Sequence, residues 1–512
     1  MLKAKGWKNV LKRVFVAPDP GRLRLRSAAR AVVGVGLAVA VCAAVGHSLV
    51  GAVVGGVAAL LALFTVADTT VRGQMVSTAL LPLVGFPVLA AAAMLHDYPL
   101  VRDTAFLAMV GIGVYARRWG PRGNALGIFA FMSFFEAQFL RTVPEQLPEL
   151  YAATALALLA CSFVRFGLWC YERRTPPPAV PALPGGKGFA RATTRQALQA
   201  TAAGAFALVA GQLLSHERWY WAVGAMWWIF VNTASRGETV VRSFRRMLGT
   251  LLGIPAGLLI AVPLHGALAP TAVLIAVCVF SIFYASPVSY TWNMLAVTLM
   301  VGLLYGLLGV LDPGLLALRL AETGVGALSA VLAVLVVLPV TTHATTDAWV
   351  QRALRCVHHC TAEAAARIAG TESADPGPLV AELEVLLRRV RLSLSPLVHP
   401  LAPMRARKGR ARQVLALLDD CAREVRGLAS IAADPEASHD ARLTAACQRV
   451  EAAVEALTTP QQPREFTAAT TAAVPHPAAL EPALAHLHGL ERALAELAAP
   501  LRSSPRSPLA DA

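Results

Sequence analysis

Long apolar segments alternate with short polar ones along the first two thirds of the chain. A membrane-spanning helix needs about 20 apolar residues, within a range of roughly 17–25. Segments near this length recur as far as residue 340, at positions 31–46, 50–67, 76–95, 104–115, 124–140, 150–169, 196–214, 219–233, 247–264, 268–286, 290–311 and 318–340. The pattern predicts an all-α polytopic membrane protein with about twelve transmembrane helices.

The two groups of six apolar segments carry a similar polar pattern. A polar residue stands four positions before an Arg-Gly pair, and a Gly-x-Pro follows in the next apolar run. The corresponding residues are Asp68, Arg72-Gly73 and Gly85-Phe-Pro87 in the first half, and Asn232, Arg236-Gly237 and Gly253-Ile-Pro255 in the second. Because six is an even number, both halves enter the membrane from the same side. We therefore expect two parallel repeats, a design found among secondary transporters.

Positive charges distinguish the two sides of the predicted membrane region. With the N-terminus inside, the inner segments hold about five times as many Lys and Arg residues as the outer loops, as the positive-inside rule expects. We expect a basic cytoplasmic N-terminus (1–30), a first transmembrane repeat (31–170), a Pro-rich cytoplasmic linker (171–195) and a second repeat (196–340). The less apolar tail then predicts a cytosolic helical domain (345–500) and a disordered end (501–512), so both termini face the cytoplasm.

Composition narrows the class of protein. The chain is 56% hydrophobic and 15% charged, against roughly 25% charged in soluble domains. Its net charge of +15 is what inner loops beside anionic lipid would give, and no nucleic-acid-binding motif stands out. Cys356, His359 and Cys360 lie close together but lack further ligands at metal-site spacing. No nucleotide-binding loop or hydrolase motif appears, so we expect no metal, no cofactor and no enzyme activity.

The most specific local pattern begins at Arg242. Arg242, Arg245 and Arg246 are followed by Gly249, Gly253 and Gly257 at four-residue spacing, with Pro255 between the last two. Glycines at this spacing share one helix face and allow close packing of a neighbouring helix. This Arg-rich segment leading into a Gly-Thr-x-x-Gly helix resembles the fusaric acid resistance-like (FUSC) family, which includes bacterial aromatic acid exporters. The first half departs from that motif at 77–82.

The resemblance implies an exporter of small organic acids, often aromatic, in a bacterial cytoplasmic membrane, driven by the proton gradient. The partners would be the lipid bilayer, a small organic anion and possible further copies of the chain in a homo-oligomer. An anion channel, as in the distantly similar plant malate channels, and a membrane scaffold with a partner-binding tail remain alternatives.

Arginines and tryptophans of the second half are the candidate substrate contacts. Arg236 and Arg242 could hold a carboxylate through the guanidinium fork, or simply anchor the inner membrane edge. Trp227 and Trp228 lie within a span and could stack on an aromatic ring. The nearby residues Trp219, Tyr220 and Trp221 are more typical of an interfacial belt.

Acidic residues within the apolar region are candidates for proton coupling. Glu136 lies about twelve residues into its span, and carboxylates at depth are often functional. The alternative is an ion pair with the nearby Arg141. Asp68 is a second candidate, although its spacing from Arg72 also fits a helix-end pair, and Glu322 fits a similar pair with Arg319.

Overall fold

The computed structural model describes residues 22–68, 70–167, 188–231, 233, 235–338, 342–368, 371, 373–398, 405–432, 441–458 and 480–502. The predicted N-terminal segment before residue 22, most of the Pro-rich linker, Asn232, and the end after residue 502 lie outside these residues. Every regular element within the described part of the chain is a helix, so the predicted all-α class is confirmed. The described residues form two units, one within residues 22–338 and the other within residues 342–502.

The first unit contains a helix at the position of each predicted span. These helices are α1 (Leu23–Ala44), α2 (Leu49–Thr65), α3 (Val71–Met94), α4 (Pro99–Tyr115), α5 (Gly120–Leu140), α6 (Leu147–Gly167), α7 (Ala192–Leu214), α8 (Tyr220–Phe230), α9 (Arg236–Leu264), α10 (Leu268–Ala285), α11 (Tyr290–Leu307) and α12 (Pro313–Val336).

Nine helical stretches among the described residues are long and apolar enough to cross a membrane. Helices α4 and α5 count as one of these stretches, because the short turn Ala116–Trp119 joins them into Pro99–Leu140. Helix α2 has only 17 residues and α8 only 11. The number of twelve crossings therefore stays a prediction.

The helices of the two halves pair in the same order. In the first half α1, α2 and α6 pack against one another, while α5 packs against α3 and α4. In the second half α7, α8 and α12 form the corresponding trio, and α11 packs against α9 and α10. The internal repeat itself stays a prediction.

Two contacts between the halves are also reciprocal. The first helix of each half packs against the fourth helix of the other, so α1 contacts α10 and α4 contacts α7. Arg24 of α1 donates from Nε to the Tyr284 carbonyl of α10 at 3.1 Å and lies over its ring. Between α4 and α7, a Cβ on Gly111 would stand 2.6 Å from Thr201 Oγ1, so the two backbones approach closely. The aromatic and aliphatic core of the unit is continuous across the two halves.

The second unit is a set of amphipathic helices with its own core. They are α13 (Thr342–Ile368), α14 (Gly377–Val398), α15 (Arg405–Ala432), α16 (Ala441–Thr458) and α17 (Leu480–Arg502). Cys356 and Cys360 are buried on α13, whereas His359 is exposed, so these three side chains do not converge. Cys421 of α15 is fully buried, and burial raises the pKa of its thiol to about 12.

Candidate functional site

Helix α9 presents two arginines on one face. The helix begins at Arg236 because the Ser235 hydroxyl, as its N-cap, accepts the backbone N–H of Glu238. The Arg-rich segment, which was expected to precede a span beginning at 247, is thus part of the helix itself. Arg242 and Arg246 are four residues apart and therefore neighbours on the helix surface.

Both arginines contact Tyr290, at the start of α11. The Arg242 guanidinium lies over the Tyr290 ring, 4.0 Å from its centroid. Arg246 donates to the Tyr290 hydroxyl at 3.3 Å and lies 3.1 Å from Met294 Sδ. The Nε atoms of both arginines are buried without a hydrogen-bond partner. Such a pair can receive an anion, since a carboxylate accepts guanidinium hydrogens at two oxygens.

Arg236 and Arg242, the two arginines that the sequence offered as substrate contacts, do not lie on the same face of α9. Arg236 is half-buried in the first turn of α9. A separation of six residues turns a helix by about 240°, so the two side chains leave the helix on different sides. The structure instead brings Arg242 together with Arg246 and Tyr290, two residues that the sequence did not single out as substrate contacts.

Trp227 belongs to a buried column of aromatic rings. Its indole stacks on Phe131 of α5, Phe131 stacks on Phe106 of α4 at 5.3 Å, and Phe106 meets the edge of Trp219 at 5.7 Å. Trp227 is 1% exposed, and its Nε1 atom has no hydrogen-bond partner. Trp228 is half-buried and meets Trp227 edge-on at 5.6 Å. Of the two candidate tryptophans, only Trp228 presents partly open surface.

The three aromatic residues expected at the membrane interface are instead part of the core. Trp219, Tyr220 and Trp221 are 4%, 3% and 5% exposed. Trp221 stacks on Tyr305 of α11 at 6.1 Å, with Arg319 of α12 over its ring at 5.4 Å. The interfacial interpretation was wrong because contacts from α4, α5 and α11 cover this end of α8.

Arg117 joins the two halves through backbone carbonyls. It lies in the turn between α4 and α5 and donates to Thr233 O at 3.1 and 3.2 Å and to Phe230 O at 3.3 Å. Gln196 of α7 donates to the same Thr233 carbonyl at 2.9 Å. These carbonyls follow the end of α8, where the last turn has no intrahelical donors. The sequence placed Arg117 only as one of several inner-loop cations.

A second arginine has the corresponding role in the first half. Arg165 of α6 donates to Val66 O at 3.0 Å and Ala62 O at 2.9 Å, at the end of α2. Helices α2 and α8 occupy corresponding places in the helix pairing, and each ends on carbonyls held by an arginine. In both halves the chain then becomes non-helical for a few residues before α3 or α9 begins.

Asp68 lies in the non-helical stretch before α3, so the expected helix-end pair with Arg72 was wrong. The Asp68 carboxylate accepts the Ser77 hydroxyl at 2.6 Å and lies 3.7 Å from Arg122. Arg122 also donates to Ser77 Oγ at 3.1 Å. Because Asp68 starts no helix and Arg122 comes from the beginning of α5, the sequence spacing could not reveal this cluster.

Glu136 is half-buried on α5 and forms no ion pair with Arg141. Arg141 instead bonds the carboxylate of Glu217 at 3.0 Å, and both side chains are exposed. Arg141 ends α5 in a left-handed conformation (φ 52°), which turns it away from the preceding helical turn. The ion-pair alternative for Glu136 was therefore wrong.

Glu322 also lacks the partner that its spacing suggested. Arg319 donates to the Tyr305 hydroxyl at 3.2 Å instead. Glu322 is 0% exposed, and neither of its carboxylate oxygens has a hydrogen-bond partner.

The glycine face of α9 packs on α11 over part of its length. A Cβ on Gly249 would stand 2.7 Å from Met294 Cβ, and one on Gly253 would stand 2.7 Å from Thr298 Cβ. A Cβ on Gly257 would meet nothing within 4 Å. Pro255 lies within the helix and on the groove formed with Leu258 and Leu259. Close helix packing therefore depends on Gly249 and Gly253, and not on Gly257.

The family resemblance can be compared with this geometry. Residues 205–333, which run from α7 into α12, match the family model described as Fusaric acid resistance protein-like. The resemblance to this family is confirmed. No curated protein and no solved structure matches the chain. The match covers about a quarter of the chain, and the apolar helices indicate a multi-pass membrane protein.

Proposed function

We propose that this fusaric acid resistance-like protein is a secondary transporter that exports small organic acids, chiefly aromatic carboxylic acids, using the proton gradient. The observation that carries the proposal is the matching helix pairing of the two halves, with reciprocal contacts between them. In secondary transporters, repeats arranged in this way build one site and rock against each other to open it to either side.

The substrate carboxylate would bind at Arg242 and Arg246. Their unpartnered Nε atoms and the hydroxyl of Tyr290 offer donors that no acidic side chain occupies among the described contacts. Arg236 would add positive charge at the start of the same helix. Trp228 offers the half-buried aromatic surface on which a ring could stack.

The proton would travel on a carboxylate within the membrane unit. Glu136 fits this role because it lies on α5 without an ion pair in the described structure. Asp68 fits it less well, because its carboxylate already accepts the Ser77 hydroxyl at 2.6 Å and lies 3.7 Å from Arg122. The protein would lie in the inner membrane with both termini in the cytoplasm, the orientation that the distribution of positive charge favours.

Purified protein in liposomes provides the direct test. With an imposed pH gradient, radiolabelled benzoate should accumulate above the level in protein-free liposomes. The Arg246→Gln variant should lose this transport, whereas Arg118→Gln, on an exposed turn, should keep it. Growth of a deletion strain on a panel of weak organic acids would then identify the substrate.

Flux that persists without a proton gradient and follows voltage alone would contradict the proposal and favour an anion channel. Absence of flux for every acid in the panel would favour a scaffold.

A further inference from the structure

Glu322 is a carboxylate sealed inside the protein without a partner. It lies on α12, is 0% exposed, and has two oxygens with no hydrogen bond. An ionised carboxylate in such a place lacks both water and a counter-ion, which is strongly unfavourable. The neutral acid is therefore the form that this packing tolerates.

The carboxylate lies at the beginning of the short helix α8. A Cβ on Gly211 of α7 would stand 3.0 Å from Glu322 Oε2 and 2.9 Å from the Trp219 carbonyl. The backbone N–H of Ala222, in the first turn of α8, lies close to the carboxylate but donates to Trp219 O at 3.1 Å. The positive end of the α8 dipole thus faces Glu322 without a hydrogen bond to satisfy it.

Glu149 occupies the corresponding place in the first half, with a different environment. It lies on α6, the counterpart of α12, beside the first turn of α2, where a Cβ on Gly51 would stand 2.9 Å from its Oε1. Glu149 is exposed and accepts both the backbone N–H of Ser48 at 3.0 Å and its hydroxyl at 2.6 Å. Glu149 is an ordinary capping carboxylate. Glu322 differs because it is buried and no hydrogen-bond donor contacts its oxygens.

The charged and titratable groups around Glu322 make other contacts. Arg319, three residues earlier on α12, bonds the hydroxyl of Tyr305 on α11. Arg218, just before α8, bonds the hydroxyl of Tyr220 at 3.1 Å. On α7, Gln212 beside Gly211 bonds Asp103 at 2.6 Å, and α9 presents Met247 to Gly324 of α12. None of these groups forms an ion pair or a hydrogen bond with Glu322 among the described contacts.

We infer that Glu322 is the proton-binding residue of the transport cycle. One proton from water on one side adds to a carboxylate oxygen, the closed packing of α7, α8 and α12 holds the neutral acid, and the same proton leaves to water on the other side when that packing opens. The α8 dipole stabilises the ionised form at the moment of release. The inference rests on the proposed proton-driven transport and adds Glu322 to Glu136 as a proton-binding carboxylate of that cycle.

Protonation can be measured without any substrate. Infrared difference spectra of the purified protein across a pH titration should contain a protonated-carboxyl band at neutral pH. Glu322→Gln should remove part of that band, while Glu149→Gln should leave the whole band in place. A band of undiminished intensity in Glu322→Gln, with the variant folded and stable in detergent, would overturn the inference. If Glu322→Gln does not fold, Gly211→Ala provides a second test, because the new methyl group would contact the Glu322 carboxylate. Gly211→Ala should shift the frequency of the band. An unshifted band in folded Gly211→Ala protein would also overturn the inference.

Transport then tests coupling separately. Glu322→Gln should lose accumulation of benzoate driven by a pH gradient but retain benzoate exchange between the two sides at equal pH. Gradient-driven accumulation equal to that of the unmodified protein would refute the coupling role. If the unmodified protein itself moves no benzoate and no acid of the panel, the proposed function fails, while the infrared result still decides whether Glu322 binds a proton.

Discussion

The indole of Trp227 lies parallel to the ring of Phe131, with centroids 4.0 Å apart and an angle of 7° between the planes. One ring belongs to the second half of the membrane unit and the other to the first. Aromatic pairs contribute about 0.5–1.5 kcal/mol beyond the area buried. The pair therefore stabilises the contact between the two halves, next to Trp228, where the substrate ring is proposed to stack.

Truncation of this tryptophan should unfold the bundle before it alters substrate affinity. We expect Trp227→Ala to cost about 3–5 kcal/mol, as for other fully buried large side chains. The measurement is the melting temperature of detergent-solubilised protein. Trp119→Ala is the matched control, because Trp119 is 61% exposed and should have little effect. A stable Trp227→Ala protein with weakened substrate binding would instead place the indole in the substrate path.

Arg117 should be irreplaceable by lysine. Its guanidinium serves two carbonyls at once, and each hydrogen bond to a charged group contributes about 1.5–3 kcal/mol. We expect Arg117→Met to reduce the folded fraction strongly and Arg117→Lys to restore only part of it, because one ammonium cannot reproduce the planar fork. The folded fraction is measured by size-exclusion profile after detergent extraction. Equal profiles for lysine and arginine at this position would show that charge alone matters.

The glycine face of α9 offers a contrast within a single helix. Gly253→Ala should lower the yield of folded protein, because the new Cβ would stand 2.7 Å from Thr298 Cβ, and Gly253→Leu should lower it further. Gly257→Ala should be neutral or stabilising by up to about 1 kcal/mol, since the space is open and alanine favours helix. Melting temperatures of the three variants decide the matter. A reversed order would mean that α9 and α11 do not pack as described.

Cys421 should make the C-terminal helices sensitive to alkaline pH. Burial raises its thiol pKa from 9.0 to about 12. Between these values the unfolded chain releases the proton and the folded chain retains it. The contribution to stability is therefore complete below about pH 9 and is lost as the pH rises towards 12. The melting temperature is measured at about pH 8 and about pH 11, on either side of the usual thiol pKa. It should fall less between these two pH values in Cys421→Ala than in the unmodified protein. Parallel curves for the two proteins would show that the thiol ionises with equal ease in both states.

Topology can be checked by labelling in a cysteine-free background. A cysteine at Ser215, between α7 and α8, should react with an impermeant maleimide added outside intact cells. A cysteine at Pro184, in the Pro-rich linker, should react only after the cells are opened. Labelling of both positions from outside would contradict the predicted topology.

Apolar segments sufficed to predict where the helices of the membrane unit lie. Their starts were less accurate, because the charged first turns of α9 were taken as an inner loop. Three expected ion pairs failed for one reason. Sequence spacing reveals only partners on the same helix, whereas Asp68, Arg141 and Arg319 bond residues from other segments. Burial was only partly visible, since the segment 318–340 placed Glu322 within a span but its spacing from Arg319 also fitted an ion pair.

The reciprocal contacts of α1 with α10 and of α4 with α7 bear on the biogenesis of the protein. During synthesis, the first half is made while α1 still lacks its partner, because α10 begins more than 200 residues later. The first half is therefore an unfinished assembly until the second half is made. Chains whose translation stops before α10 should be degraded and should not accumulate as stable halves.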